Sequence, residues 1–382
     1  MTDILKYDVA IIGAGPAGSS AAIHLSRLGY KVCLIEKKNF PRETLCGEFL
    51  SREVSEILSS LGLIAGFMAM NPNPINSFKF VSGNGKVLKT GLQFTGYGLK
   101  RGKFDAFLLS EAAKSGAGVI QPAEVKSIVK TRGQFDITFV KEGQAFQVTS
   151  PVVIAAWGRQ NTLDKLLGRD FASYKSSING IKFHISDSKL RNFPKNEIHI
   201  YAGEDIYCGI NAVDNNSVTI CFLENRTNFT ASPRAHFKAL LQQNKTINEI
   251  FTPDIHEVLA ESTLYGTGHI YFGKRNLVEN GIFMTGDAAR VIAPLAGDGI
   301  AIALHSGRIV SDTIDLQFRK TMNPGDSENH YVQKWNRHFS RRITTARCIQ
   351  SVILNPLLDY PAYLLARLFP SMLNGIIRLT RG

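Results

Sequence analysis

The sequence predicts an α/β protein: a Rossmann-like dinucleotide-binding domain, interrupted by a mainly antiparallel β-sheet domain with helices, and followed by a helical C-terminal tail. Three observations predict it. A strand, a glycine-rich turn, a helix and a second strand follow one another from Tyr7 to Glu36. Residues 76–95 and 178–264 then turn β-rich. A late strand at 281–287 returns to the style of the first domain before an apolar, arginine-punctuated tail.

The first element is Val9 to Ile12, an apolar run long enough for one buried parallel strand. Gly13, Gly15 and Gly18 follow in G-x-G-x-x-G spacing. The first lets the chain turn out of the strand, the second lets a backbone approach a pyrophosphate, and the third lets the next helix pack closely on the sheet. Ala17 to Leu28 reads as that helix, its N-terminus offering free N–H groups to phosphate, with Gly29 ending it. Lys31 to Ile35 is the second strand and finishes on Glu36, about 20 residues past the glycines, where a carboxylate reaches ribose hydroxyls. Strand, turn, helix, strand and terminal acid together specify a dinucleotide site.

Beyond Glu36, Pro41 and Gly47 mark an irregular loop, and Ser51 is the N-cap of a helix running to about Leu61. The segments SFKFV and KVLKT flank the turn SGNG as a hairpin. Helical spacing returns over Arg101–Lys114, and residues 118–158 read as further short strands ending in VVIAA. From Ile178 to Leu223 strands dominate, the last two joined at Asp214-Asn215-Asn216. Ser232 and Pro233 open a helix to about Gln242 as N-cap and first helical residue. Gly281–Asp287 is a strand leading to a glycine and an acid, and Gly299–Asp312 a small-residue helix. The expected organisation is a discontinuous dinucleotide domain over 1–75, 96–177 and 265–328, a second domain over 76–95 and 178–264, and a helical region over 329–382.

Composition limits the function classes. With 382 residues and 44% apolar content the chain can bury two domains of ordinary size. Five scattered cysteines without a C-x-x-C pair indicate neither a disulfide framework nor a zinc site, and no metal is expected. Because the first strand begins so soon after Met1, and no uncharged apolar run of about 18 residues occurs, a cytoplasmic protein is expected. The net charge of +12 is spread rather than blocked; it reads as a solvated basic surface, and nucleic acid is not an expected partner. There is no second G-x-G-x-x-G for a resident nicotinamide domain, and no H-E-x-x-H, P-loop or G-x-S-x-G motif. The tail from Ile349 to Leu379 carries Pro356, Pro361 and Pro370 among apolar residues, with Arg347, Arg367, Arg378 and Arg381. It suits a helical lid or a peripheral patch on an anionic membrane at the inner face, or else a helix pair packed on the second domain.

GAGPAG with Glu36, the loop FPRETLCGEFL, Arg101 in YGLKRGKFDAFLL, and above all FMTGDAARVIAPLAGDGIAIAL resemble the FAD-dependent geranylgeranyl reductase family. That family is related to flavoprotein hydroxylases and halogenases of the p-hydroxybenzoate hydroxylase fold. The late motif is the most specific part, since Gly286-Asp287 is followed at fixed spacing by Pro294, Gly297 and Gly299. The resemblance implies FAD as cofactor, with Gly13, Gly15, Pro16, Ala17, Gly18 and Glu36 on the ADP half and Arg101 near the pyrophosphate and ribityl chain. It implies further cofactor contacts at Lys37, Arg42, Cys46, Gly47, Val125, Gly158 and Gly286. Asp287 would accept a ribityl hydroxyl, or serve only as a helix N-cap. Gly297 to Ile300 would face the flavin edge where negative charge builds up on reduction.

Cys46 and Tyr207 are the candidate catalytic residues, as proton donors; Cys46 reads equally as a small buried hydrophobe. The chain departs from the family in two places. Ala156-Trp157-Gly158-Arg159 stands where many relatives have Ala-Asp-Gly-Arg, and DIYCGIN places Gly209 and Asn211 where a tryptophan and a proline would fall on the substrate side. The implied reaction is reduction of carbon–carbon double bonds in a long apolar isoprenoid or polyene lipid, with NAD(P)H or ferredoxin as external electron donor. The alternatives are an FAD-dependent monooxygenase, hydroxylase or halogenase-like tailoring enzyme acting on an aromatic or polyketide substrate, and a non-enzymatic flavin electron carrier or sensor. A halogenase of the tryptophan type is excluded, because its W-x-W-x-I-P motif cannot be built from Trp157 and Trp335.

Overall fold

A computed structural model describes residues 5–159, 162–214, 216–227, 230–294 and 297–353, together with 355, 361, 363, 364, 367 and 375. Asn215 of the expected hairpin and most of the proline-interrupted tail, including Pro356, Pro370, Arg378 and Arg381, lie outside the described residues.

The helices that position the site are α1 (Pro16–Arg27), α2 (Arg52–Ser60), α3 (Arg101–Lys114), α4 (Pro233–Gln243), α5 (Gly299–Phe318) and α6 (Pro324–Ile353). They surround three sheets. In the six-stranded one, Val9–Ile12 lies between Val32–Ile35 and Val152–Ala155, all parallel, with Gly118–Ile120 at one side. At the other side come Ile282–Met284, parallel, and the short antiparallel edge Val278–Glu279. Val9–Ile12, Val32–Ile35 and Val152–Ala155 are buried at every residue, as expected of a parallel sheet covered on both faces, which explains their unbroken apolar runs.

Small residues set how closely the helices approach. A side chain at Gly18 would meet Gly13 O at 1.9 Å, and one at Gly307 would meet Ala17 O at 2.5 Å. Ser20 and Ser311 complete the contact of α1 with α5 by donating to Leu304 O at 2.8 Å and Ala21 O at 3.3 Å. Beyond α5 lies α6, which begins at Pro324 and buries Tyr331, Trp335 and Phe339 in the same core, Tyr331 donating to Met284 O at 2.5 Å.

Residues 118–158 serve two sheets. Their ends enter the parallel sheet, while Glu124–Thr131, Gln134–Lys141 and Gln144–Ser150 form an antiparallel meander completed by Leu5–Lys6. The eight-stranded sheet runs in the order Tyr265–Thr267, Ile178–Ser186, Ser217–Asn225, Ile206–Asp214, Glu197–Gly203, Asn73–Val81, Val87–Gly98, Phe49–Leu50. Its strands are antiparallel except where Glu197–Gly203 runs parallel to Asn73–Val81. Alternation along these strands separates two faces. Phe183, Tyr201, Ile210 and Phe222 pack with Phe237 of α4 on one side, whereas Phe80, Ile200, Tyr207 and Leu223 cluster on the other.

Two N-caps were expected. Ser232 accepts Ala235 N–H at 3.3 Å, as its position before Pro233 predicts. Ser51 occupies the N-cap of α2, but its hydroxyl makes no cap bond. No helix among the described residues is long and apolar enough to cross a membrane.

Candidate cofactor and substrate site

A cavity of about 1850 Å³ lies between the C-terminal ends of the parallel strands and the second face of the eight-stranded sheet. One drug-sized ligand occupies a pocket of roughly 300–1000 Å³, so there is room for two. Gly13, Gly15, Pro16 and Ala17 line one end, with Glu36, Lys37, Arg42 and Val125 beside them. Cys46, Gly47, Arg101 and Gly158 follow, then Gly286, Asp287, Pro294, Gly297, Gly299 and Ile300, while Tyr207 lies on the sheet side. Gly18 is the exception among the expected cofactor residues. It does not line the cavity, because its missing side chain makes room for Gly13 O and Ala156.

The turn at the first end is fixed by a carboxylate. Glu36, 6% exposed, accepts Ala14 N–H at 2.8 Å and Lys38 N–H at 2.9 Å. Gly13 takes φ +102°, and any side chain there would meet Ala156 O at 2.5 Å. Helix α1 starts with no capping side chain and no acid in its first turn, leaving its N-terminal N–H groups and dipole to the cavity.

Arg42 lies beside it. Its Nε is buried without a hydrogen-bond partner and stands 3.8 Å from Glu36 Oε1, while Nη2 stands 3.8 Å from Asp105 Oδ2. A side chain at Gly15 would find only Arg42 Nη2, at 3.8 Å. Open backbone, a helix N-terminus and an unsatisfied guanidinium nitrogen fit a pyrophosphate. Arg101, by contrast, is already engaged, giving Asp105 two hydrogen bonds at 2.7 and 2.9 Å.

The other end is built by the late motif. Asp287 sits in a short 3₁₀ turn whose N-cap is Thr285, so it is not a helix cap; its side chain is one-third exposed and 3.8 Å from Arg159 Nε. Arg275 fastens this turn, donating to Asp287 O and Arg159 O at 2.9 Å each and stacking 3.9 Å over Phe171. Burial pushes the Arg275 guanidinium down to about 10. Where relatives place an aspartate, Trp157 donates to Asp164 at 3.1 Å, and Asp164 pairs with buried Arg169 at 2.9 Å.

Next to Cys46 lies a buried charge cluster that the sequence reading did not find. Glu48 receives Lys182 at 2.8 Å, His184 at 2.6 Å, Thr219 Oγ1 at 2.5 Å and Arg101 N–H at 2.9 Å. Burial pushes its carboxyl up, but the hydrogen bond to His184 and the charge of Lys182 outweigh this and hold it at about 2. Cys46 Sγ accepts Glu48 N–H at 3.3 Å, so the cluster fixes the thiol's position. Lys182 and His184 lie on the cavity side of their strand because residues 181, 183 and 185 fill the opposite core.

The profile of the FAD binding domain family matches residues 6–310. The chain belongs to this family. FAD is therefore its cofactor, and this FAD-dependent oxidoreductase has the cavity to hold it. Among curated proteins it is similar to a digeranylgeranylglycerophospholipid reductase of Methanococcus vannielii, 24% identical over 86% of this chain and 82% of the relative. It is also similar to a 1H-pyrrole-2-carbonyl-[peptidyl-carrier protein] chlorinase of Pseudomonas fluorescens, 24% identical over 85% and 79%. Among solved structures, a geranylgeranyl bacteriochlorophyll reductase-like protein from Thermoplasma acidophilum superimposes with TM-score 0.78 at 22% identity, covering 94% of this chain and 91% of that one. The FAD-binding fold is thus shared with both reductases and halogenating enzymes.

Proposed function

We propose that this FAD-dependent oxidoreductase reduces carbon–carbon double bonds of a long apolar isoprenoid or polyene substrate. The observation that carries the reading is the apolar extension of the cavity. Phe78, Phe80, Leu88, Leu92, Ile198 and Ile200 line it along the sheet, and Leu45, Leu223, Val291 and Ile353 close around it. Gly209 and Asn211 share this face with Tyr207, and a side chain at 209 would meet Ile200 Cδ1 at 3.3 Å. The similarity to a digeranylgeranylglycerophospholipid reductase supports the same substrate class.

Bound FAD would supply the hydride from its reduced ring. Gly13, Gly15 and the α1 N-terminus would hold the pyrophosphate with Arg42, Asp287 the ribityl chain, and the α5 N-terminus the pyrimidine edge of the flavin. A proton for the neighbouring carbon would come from Cys46, placed by Glu48, or from Tyr207, which is 3% exposed at the cavity wall. Electrons would enter from an external donor such as NAD(P)H or ferredoxin. Tyr363 and Ile353, which line the cavity near the tail, suit a substrate entering from a membrane surface.

The similarity to a chlorinase favours one second reading, an oxygen-using tailoring enzyme. The two differ in what fills the apolar extension. Titrating polyprenyl lipids of increasing length into the FAD-loaded protein, with flavin absorbance as readout, should show affinity rising with length, burial contributing about 0.8 kcal/mol per CH₂. Length-independent binding, with tighter binding of small aromatic compounds, would favour the tailoring enzyme.

A further inference from the structure

We propose that Arg342 is a positioning residue for the flavin: by neutralising Asp298 it keeps the N-terminus of α5 electropositive toward the cavity and so sets the reduction potential of bound FAD. Asp298 is fully buried at the N-cap of α5, between Gly297 and Gly299, which both line the cavity. A carboxylate at this position ordinarily accepts N–H groups of the first turn, but Asp298 makes no such bond. Its Oδ2 accepts instead from Arg342 at 2.9 Å.

The same guanidinium donates to both oxygens of Glu53 on α2, at 3.0 and 2.6 Å, and is 7% exposed. One cation thus serves two carboxylates in a water-poor junction of α2, α5 and α6. Among the described residues His305 of α5 is a poor substitute for this cation: burial holds it below its usual value, and its ring lies edge-on to His338 and Phe339. Without Arg342, a buried carboxylate would stand one residue from the cavity wall, opposing the negative charge that FAD gains on reduction. Arg342 lies beyond the family match, which ends at residue 310, so α6 adds this control from outside the FAD-binding region.

The inference rests on the flavin lying at the α5 N-terminus, and the test separates the two ideas. Dye-coupled redox titration of FAD-loaded protein should show a lower midpoint potential in Arg342→Gln. A tenfold change in the oxidised-to-reduced ratio corresponds to about 30 mV for a two-electron couple. Adding Asp298→Asn should restore the potential, Arg342→Lys should keep it, and Asp298→Asn alone should raise it, which serves if Arg342→Gln does not fold. A purely structural role predicts that Asp298→Asn restores nothing; that result, or an unchanged potential in Arg342→Gln and in Asp298→Asn, overturns the proposal. If the flavin lies elsewhere, Gly299→Leu, which crowds the cavity wall, would also leave FAD binding intact. With the flavin at this helix, Gly299→Leu weakens FAD binding whatever Arg342 does.

Discussion

The Lys182 ammonium lies 2.8 Å from Glu48 Oε1, and neither side chain has exposed surface. Removing one partner of such a pair takes away part of the compensation of a buried charge, so Lys182→Met should lower stability by about 3–5 kcal/mol, read from denaturant midpoints. Glu48 also links stability to pH. Its folded value of about 2 lies below its ordinary 4.5. The stabilisation is therefore complete above the ordinary value and is lost as pH falls toward the folded one. The wild-type melting temperature should drop steeply over that acid window, and Glu48→Gln should flatten the drop.

Gly15 and Gly18 belong to one motif but should fail differently. A side chain at Gly18 strikes Gly13 O at 1.9 Å, whereas one at Gly15 enters open cavity near Arg42. Gly18→Ala should destabilise the FAD-free protein by about 1–3 kcal/mol through overpacking. Gly15→Val should leave the FAD-free melting temperature nearly unchanged and abolish the gain on adding FAD. In wild type that gain is about 2.7 kcal/mol when free FAD is 100 times its Kd. Equal effects of both variants on the FAD-free protein would contradict this division.

The division also shows what the sequence could reveal. Strand, turn, helix and Glu36 are neighbours in the chain, so their spacing alone predicts a dinucleotide site, and Gly13, Gly15 and Glu36 line one end of the cavity. Glu48 and Lys182 are 134 residues apart, and Arg342 and Asp298 are 44 apart; nothing in local pattern pairs them. Only packing shows that these charges are buried and paired. The register of Ile206–Asp214 was legible as a strand, but only the sheet shows that Tyr207, Gly209 and Asn211 share the cavity face. Helix α6 begins at Pro324, earlier than its apolar spacing indicated, because its first turn is polar.

Arg42 should matter more to the cofactor than to the fold. Its Nε has no hydrogen-bond partner and its two carboxylate neighbours are 3.8 Å away, so little protein structure depends on it. A charge-assisted hydrogen bond to pyrophosphate contributes about 1.5–3 kcal/mol, so Arg42→Gln should raise the Kd for FAD by about 10- to 100-fold. Fluorescence titration of the FAD-free protein measures it; an unchanged Kd would place the pyrophosphate elsewhere.

Cys46 and Tyr207 are separable as proton donors. Loss of a general acid reduces turnover by about 10²–10⁴-fold, so Cys46→Ala or Tyr207→Phe should fall in that range, with FAD affinity and lipid affinity maintained. The variant that also loses the alkaline limb of the pH profile identifies the acid. Full turnover in both would leave the proton to water.

The most direct measurement is anaerobic incubation of the photoreduced, FAD-loaded protein with polyprenyl lipids, followed by mass spectrometry of the products. Reduction of a carbon–carbon double bond predicts a gain of two hydrogens per bond without oxygen. Turnover seen only in air, with oxygen or halogen incorporated into the product, would contradict the reductase reading.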